Sequence, residues 1–298
     1  MTEREVLFVA HTGRASNRRT AARVADWFDR GGVRLRTLPD QAADLAPNWR
    51  HPIIEDGAAA AENVDLVFAL GGDGTMLRAA ELARLAGVPV LGVNLGRVGF
   101  LAEADSDALE EAVRLVLERR YQVDERATVD VRASLRGEVF ARGWALNEAS
   151  VEKSSRERIL DVRIEVDSRP VSAFGCDGVL CATPTGSTAY AFSAGGPVIW
   201  PDVAAMLVVP SNAHAMFARP LVVSPSSVVS IEVDPGGHDA VLCCDGRRSV
   251  ELPAGARVDI VEGSAPVRLV RLREGPFTDR LVRKFGLPVQ GWRGAGAE

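Results

Sequence analysis

Between residues 66 and 78 the chain runs Leu-Val-Phe-Ala-Leu-Gly-Gly-Asp-Gly-Thr-Met-Leu-Arg. An unbroken apolar run that stops at glycine fits a strand buried on both faces, and Thr75 opens a stripe at helical spacing. Such a strand belongs in a parallel sheet with helices above and below it. The glycine turn brings flexible backbone to the start of a helix, where unpaired N–H groups attract phosphate. Asp73 sits inside that turn. A lone carboxylate is badly placed to bind phosphate, so its chemistry is that of a proton acceptor or a metal ligand.

The same alternation flanks this stretch. A strand over 5–10 precedes a helix over 15–30, with Ala21, Val24, Ala25 and Phe28 as its apolar stripe and Gly31-Gly32 as its stop. A strand over 33–38 follows, then a loop over 39–63 holding one short helix. Residues 75–86 are expected as a helix ended by Gly87, 90–93 as a strand, and 107–119 as an amphipathic helix capped by Asp105 or Ser106. Near Tyr121 the period changes from 3.6 to 2. Short β-branched runs occupy 128–135, 139–151, 159–166, 170–174, 179–183, 222–223, 228–233, 240–244 and 257–261. Turn residues such as Arg136-Gly137, Asp167-Ser168 and Pro235-Gly236-Gly237 separate them. A final amphipathic helix is expected over 278–285, and the glycine-rich tail 291–298 is expected to be disordered. The fold class is therefore an α/β N-terminal domain on a parallel, Rossmann-like sheet over residues 1–120, plus a mainly β C-terminal domain over 121–270. Residues 271–298 are expected to return to the first domain.

A chain of 298 residues suits two such domains. Its net charge of −5, with no charged tail, argues against a nucleic-acid partner. No stretch approaches the roughly 18 apolar residues of a membrane span. The apolar run 6–10 is too short for a signal-peptide core. Cys176, Cys181, Cys243 and Cys244 form no C-x-x-C pair and sit among apolar neighbours, as reduced thiols on strands do. Together these features point to a cytoplasmic protein. His11, His51, His214 and His238 show no zinc spacing, and no metal ligands can be assigned. Lys153 and Lys284 are the only lysines, so arginine is the expected phosphate-binding cation.

No Gly-Lys dipeptide exists, which excludes a Walker A loop, and residues 92–99 lack the dinucleotide fingerprint. A second glycine turn begins at Asn94 after the next expected strand. In a parallel sheet the carboxyl ends of neighbouring strands share a crevice, so the two turns face one another. Gly71, Gly72, Gly74, Thr75, Arg78 and Asn94 are then the candidate phosphate set, although a tight turn capped by Asp73 or Thr75 remains the plain structural alternative. Asn147 and Glu148 stand together in an otherwise apolar run. Alternation buries only one of two neighbours, so the pair marks either a strand end at a site or an exposed strand edge. An amide and a carboxylate suit ribose hydroxyls. Residues 175–197 are dense in small and hydroxyl side chains. There 183–187 reads as a turn, Thr188 as a helix cap, and Tyr190 as either a base-stacking ring or a core aromatic.

Taken in order, Gly71-Gly72-Asp73-Gly74-Thr75, Asn147-Glu148 and the run from Thr183 to Tyr190 resemble the NAD kinase family. The segments 94–101, Gly195-Gly196-Pro197, Ala218-Arg219-Pro220 and Cys244-Asp245-Gly246 also resemble its recurring segments, and the similarity covers about residues 5–290. The glycine loop alone is shared with lipid kinases; the combination is more selective. The resemblance implies phosphoryl transfer from ATP as co-substrate, with Mg²⁺ or another divalent metal, to the 2′-hydroxyl of the adenosine ribose of NAD. It implies Asp73 as the catalytic carboxylate. It further implies that Asp73, Gly74, Asn147, Glu148, Arg158, Asp177, Thr188, Ala189, Tyr190, Ala191, Phe192 and Ser193 contact NAD. Arg247 departs from relatives that carry a neutral polar residue there. The resemblance also implies a homodimer or homotetramer, with NAD and ATP as partners and neither nucleic acid nor membrane. Two other readings stand beside it. A lipid (diacylglycerol-type) kinase would need an apolar cleft or basic membrane face, against which the acidic chain and Asn147-Glu148 count. A non-catalytic NAD-binding regulator would not need the intact Asp73 loop.

Overall fold

The computed structural model describes residues 4–45, 49–95, 99–105, 108–272 and 275–289. The second glycine turn at 96–98, the cap position Ser106 and the tail 291–298 lie outside the described residues. The chain divides into two compact units. One holds the described residues up to Glu125 together with those from Val267 onward, and the other holds Arg126–Pro266.

The first unit runs β1 (Arg4–Ala10), α1 (Ala15–Arg30), β2 (Val33–Thr37), α2 (Pro39–Leu45), β3 (Leu66–Leu70), α3 (Asp73–Ala83), β4 (Val90–Asn94), β5 (Ala104–Asp105), α4 (Leu109–Leu117) and β6 (Gln122–Arg126). The second runs β7 (Val129–Leu135), β8 (Glu138–Ala145), β9 (Glu148–Lys153), β10 (Leu160–Val166), β11 (Arg169–Cys176), β12 (Gly178–Ala182), α5 (Tyr190–Ser193), β13 (Met206–Ser211), β14 (Leu221–Val223), β15 (Val229–Val233), β16 (Ala240–Cys244), β17 (Arg248–Leu252) and β18 (Ala256–Glu262). The chain then returns to the first unit as β19 (Val267–Arg271) and α6 (Phe277–Phe285).

The first sheet has the order β2-β1-β3-β4-β19-β6, with β5 alongside β4. Strands β1 to β4 are parallel. Phe8, Phe68 and Leu91 pack into one apolar cluster with Val24 and Phe28 of α1 and Val113 of α4. The Phe28 ring meets Phe68 edge-on, with 5.4 Å between ring centroids. Strand alternation turns Val67 and Ala69 to the opposite face, which α3 covers. There Gly92 lies so close to Met76 that a Cβ would stand 2.0 Å from its sulfur. The breaks expected at 120/121 and 270/271 fall instead near 125 and 267, because β6 and β19 both join this sheet.

The second unit has two antiparallel sheets, β11-β10-β15-β18-β7-β8 and β14-β13-β12-β9-β16-β17. Their inner faces share one core: Val131, Val162, Ile231 and Val258 from the first, Val151, Val179, Val208 and Leu242 from the second. On the outer side of the second sheet, Leu180, Ala182, Leu207 and Val209 pack against Ala191, Ile199 and Ala205. The run 139–151, expected as one strand, is two strands in different sheets. β8 pairs with β7, whereas β9 pairs with β12 and β16. Leu146 and Asn147 form the crossing. Strands β13, β17 and β19 also escaped the sequence pattern; Pro210 interrupts the first, and charged residues the other two.

A buried carboxylate ties α6 to the first unit. Glu103, almost fully covered, is paired with both Arg271 of β19 and Arg280 of α6, and Arg271 also reaches Asp124 at 2.8 Å. Phe100 packs against Phe277 and Phe285 beside this cluster. Removing one partner from a buried ion pair strands the others without compensation. Glu103→Gln is therefore expected to lower unfolding stability by about 3–5 kcal/mol, measured by urea denaturation. A loss below about 1 kcal/mol, the size of an exposed pair, would contradict this account.

Candidate active site

In the first unit the glycine turn grows directly out of the sheet. Gly71 N–H donates to Val93 O at 2.9 Å, and the carbonyl of Gly72 accepts the N–H groups of Thr75 and Met76 at 3.0 and 3.1 Å. The helix therefore starts at Asp73, not at Thr75, with Gly72 at the N-cap position. No side chain caps it, so the capping role considered for Asp73 and Thr75 is not realised. The N–H groups of Asp73 and Gly74 lie outside the helical ladder, at its positive end.

The glycines of this turn have different reasons. A Cβ on Gly71 would stand 2.3 Å from Thr75 Oγ1, so packing demands glycine there. Cβ atoms on Gly72 and Gly74 would meet nothing within 4 Å, and neither residue has a left-handed φ. Nothing in the described fold requires glycine at these two positions. The Asp73 side chain is exposed between them. Gly99 approaches it closely, since a Cβ there would lie 2.3 Å from Asp73 Oδ1. Asn94 is buried at the end of β4. The Arg78 guanidinium is already bound to Asp56 and, at 2.8 Å, to Glu81.

In the second unit Asn147 and Glu148 are both buried at the crossing from β8 to β9. They are the strand end that their joint polarity suggested, not an exposed edge. The backbone of Asn147 is held on two sides. Its carbonyl accepts Thr183 N–H at 2.9 Å, and its N–H donates to Asp245 Oδ1 at 2.6 Å. Gly186 lies against it so tightly that a Cβ would fall 1.9 Å from Asn147 O. Thr183 Oγ1 bonds Leu146 O at 2.6 Å and accepts Gly186 N–H at 3.0 Å. Ser187, fully buried, donates to Pro184 O at 2.7 Å and accepts Ile199 N–H at 2.8 Å. The hydroxyl-rich run 183–190 is thus a folded brace on the Asn147 backbone.

Glu148 carries the sharpest electrostatic feature. It is 6% exposed, and its Oε2 has no hydrogen-bond partner among the described residues. Burial, then the charges of Asp245 and Glu152, push its pKa up to about 8, against a partial pull from the Tyr190 backbone N–H. Buried polar oxygens ordinarily have a hydrogen-bond partner, so the fold alone does not account for a carboxyl group here. Burial also raises the thiols of Cys176, Cys181 and Cys244 to about 12, which leaves them inert.

Both halves of the chain match known sequence families. Residues 6–121 match the ATP-NAD kinase N-terminal domain, and residues 146–272 match the ATP-NAD kinase C-terminal domain. The NAD kinase of Rhodococcus jostii strain RHA1 is 57% identical over 306 aligned positions, covering 98% of this chain and 96% of that protein. This chain belongs to the NAD kinase family. Its fold is similar to that of a yeast NADH kinase solved with NADH, with a TM-score of 0.86 over 96% of this chain and 88% of that one, at 22% identity. It also resembles an Archaeoglobus fulgidus NAD kinase solved with ATP. There the TM-score is 0.72 over 95% of this chain and 99% of that one, at 26% identity.

Among the residues that the NAD kinase resemblance assigned to NAD, Thr188, Ala189 and Tyr190 lie on the brace beside Asn147. Thr188 does not cap a helix. Its Oγ1 bonds Thr185 O at 3.2 Å, and Ala189 precedes the short α5. Ala191 is buried in the outer cluster, whereas Tyr190, Phe192 and Ser193 are exposed. The Tyr190 hydroxyl bonds Ser211, and its pKa is raised chiefly by burial. Asp177 is held by Lys153 and by Asn212 at 2.8 Å, which keep its carboxyl below the usual range. Arg158 is exposed and lies 2.9 Å from His238 Nδ1. Asp177 is bound to Lys153, at the end of β9 opposite to Glu148, and its charge also acts on Tyr190. Two residues that hold the site, Gly186 and Asp245, carried no role in the sequence reading. The Asp245-Gly246 pair is a hairpin-turn signal, but its reach back to residues 146 and 147 cannot be read from spacing.

A raised carboxyl pKa in the folded state has a defined linkage sign. The stability it supports is complete below the unfolded value of 4.5 and is lost as pH rises through about 8. Glu148→Gln, which removes the titration, is therefore expected to gain melting temperature relative to the unmodified protein on going from about pH 5 to about pH 8. A melting difference that stays constant across that range would show that Glu148 is not held in this way.

Proposed function

We propose that this chain is an ATP-dependent NAD kinase that moves the γ-phosphoryl group of ATP onto the 2′-hydroxyl of the adenosine ribose of NAD, giving NADP and ADP. One observation carries the reading. Asp73 stands exposed at the N-terminus of α3, between two glycines whose missing side chains the fold itself does not explain. A ligand backbone of phosphates does explain them, because only glycine leaves room for close approach to the helix N–H groups.

The chemistry follows from what these groups do. The ribose oxygen attacks the γ-phosphorus while the bond to the bridging oxygen of ADP breaks, and Asp73 orients the hydroxyl and takes its proton as the new bond forms. The N–H groups of Asp73 and Gly74, the positive end of α3 and Arg78 neutralise phosphate charge, Arg78 by exchanging Asp56 or Glu81 for the ligand. Glu148 and the Asn147 amide hold ribose hydroxyls, and the empty Oε2 of Glu148 accepts one of them. Tyr190 and Phe192 offer exposed rings to a base. Asp177, Arg158 and Ser193 extend the NAD contacts.

Among the described residues no group of three or more His, Cys, Asp or Glu is arranged to hold a metal by itself. Mg²⁺ carried by the nucleotide would need only one or two protein carboxylates beside the phosphates, and Asp73 is the exposed carboxylate of the glycine turn. When bound, the ion would supply charge neutralisation at the β- and γ-phosphates. We further place the protein in the cytoplasm, on its four free thiols, and as a homodimer or homotetramer, on the family resemblance.

Purified protein incubated with ATP, Mg²⁺ and NAD should form NADP; replacement of ATP by polyphosphate tests the donor, and absence of NADP with either sinks the proposal. Asp73→Asn should keep NAD binding and lower kcat by about 10²–10⁴. Turnover within about threefold of the unmodified enzyme would remove Asp73 from the role of base. Gly74→Ala should melt at the same temperature yet lose phosphate-donor affinity. An unchanged KM for ATP would remove close phosphate approach as the reason for glycine at position 74.

A further inference from the structure

The connection from β16 to β17 is a tight corner. Asp245 and Gly246 have φ values of 55° and 64°, and Arg247 N–H closes the turn on Cys244 O at 3.1 Å. Asp-Gly is a favoured pair for two consecutive positive φ angles, and Asn or Gly would satisfy the backbone as well. The carboxylate does more than the turn requires. Its Oδ2 accepts Leu146 N–H at 3.0 Å and its Oδ1 accepts Asn147 N–H at 2.6 Å, while Asp245 N–H donates to Glu148 O at 2.9 Å. One buried residue, 5% exposed, thus fixes the backbone of three successive residues nearly a hundred positions earlier. The carboxylate gives each of the two adjacent N–H groups its own oxygen; a side-chain amide in the same place would set its N–H₂ against one of these donors.

The carboxylate is itself held in place. Arg248 Nη2 contacts Oδ2 at 2.6 Å, and its guanidinium lies 4.4 Å over the ring of Trp144, just ahead of the crossing. From the other side Gly186 presses on Asn147. This arrangement carries an electrostatic cost. Glu148 faces Asp245 from the β16–β17 corner, Glu152 from its own strand and Tyr190 from α5. Burial raises the Asp245 carboxyl, and the Asp245 charge in turn raises Glu148. A neutral clamp would avoid that repulsion. We propose that Asp245 is a positioning residue of the nucleotide site, whose carboxylate holds Leu146 and Asn147 in the conformation that presents the Asn147 amide and the Glu148 carboxylate to the ribose. The inference rests on the reading of Asn147 and Glu148 as NAD ligands.

The test is Asp245→Asn, which keeps a residue suited to positive φ and removes only the second acceptor and the charge. KM for NAD and for ATP–Mg²⁺ is measured separately from about pH 6 to about pH 9, beside calorimetric NAD binding and melting curves. The variant should weaken NAD binding by about tenfold or more and leave KM for ATP within about twofold. The acid limb of kcat/KM for NAD, where Glu148 ionises, should also move to lower pH, because Glu148 loses a negative neighbour. Arg248→Gln should weaken NAD in the same selective way, and it decides the question if Asp245→Asn does not fold. Unchanged NAD affinity, an equal loss for both substrates, or a lowered melting temperature with an unmoved pH limb overturns the proposal. If the unmodified protein binds NAD without forming NADP, the affinity arm still tests Asp245 while the kinase reading fails. If it binds no NAD, both fall.

Discussion

A strand that leaves one sheet for another must satisfy the N–H groups it exposes at the crossing. In the β unit that crossing is Leu146 and Asn147, and a single carboxylate, Asp245, accepts both N–H groups. Much of the local architecture follows from this constraint. The β16–β17 corner must bend tightly enough to bring Asp245 back, so Asp245 and Gly246 take positive φ. The run 183–190 must pass close enough for Thr183 to donate to both Leu146 O and Asn147 O on the other side, so Gly186 has no room for a side chain. A buried polar group without a partner costs about 1–3 kcal/mol, comparable to a large share of a domain's net stability. The crossing is therefore specified by hydrogen bonding as much as by apolar packing.

The same neighbourhood keeps a carboxylate that the fold does not satisfy. Glu148 is buried beside Asp245 and Glu152, with one oxygen empty. Packing alone would place an apolar residue there. In the first unit the corresponding unexplained features are Gly72 and Gly74, which have open space where a side chain would stand. In both units the local rule is broken at residues proposed to contact the nucleotides, as at sites that trade stability for function. By contrast, the Glu103 cluster is closed. Its carboxylate is shared between Arg271 and Arg280, and its work is to hold α6.

The period change near Tyr121 was legible because strand and helix repeats differ, and the buried β3 strand with its glycine turn was legible because five apolar residues end at glycine. The glycine turn does lead from a strand into a helix, yet Asp73 is the first helical residue, since Gly72 and not a side chain takes the cap position. The expected strand over 139–151 failed because apolar content does not say which sheet a strand joins. Arg78 is legible from spacing as a candidate for the phosphate set, but that Asp56 and Glu81 already hold it is not. Its partner Asp56 lies in a loop whose path no periodicity predicts.

By itself the sequence determined the classes of element, the order of the two units, the identity of the glycine loop and the pairing of an amide with a carboxylate at 147 and 148. These follow from local properties: spacing, turn chemistry and the chemistry of side chains close together in the chain. Only the tertiary structure decided that Asp245 pins Asn147, that Gly186 rather than its neighbours must be glycine, and that Glu148 is buried with one oxygen unpaired. Those facts depend on desolvation and on contacts between segments up to about a hundred residues apart, and neither quantity exists until the chain has folded.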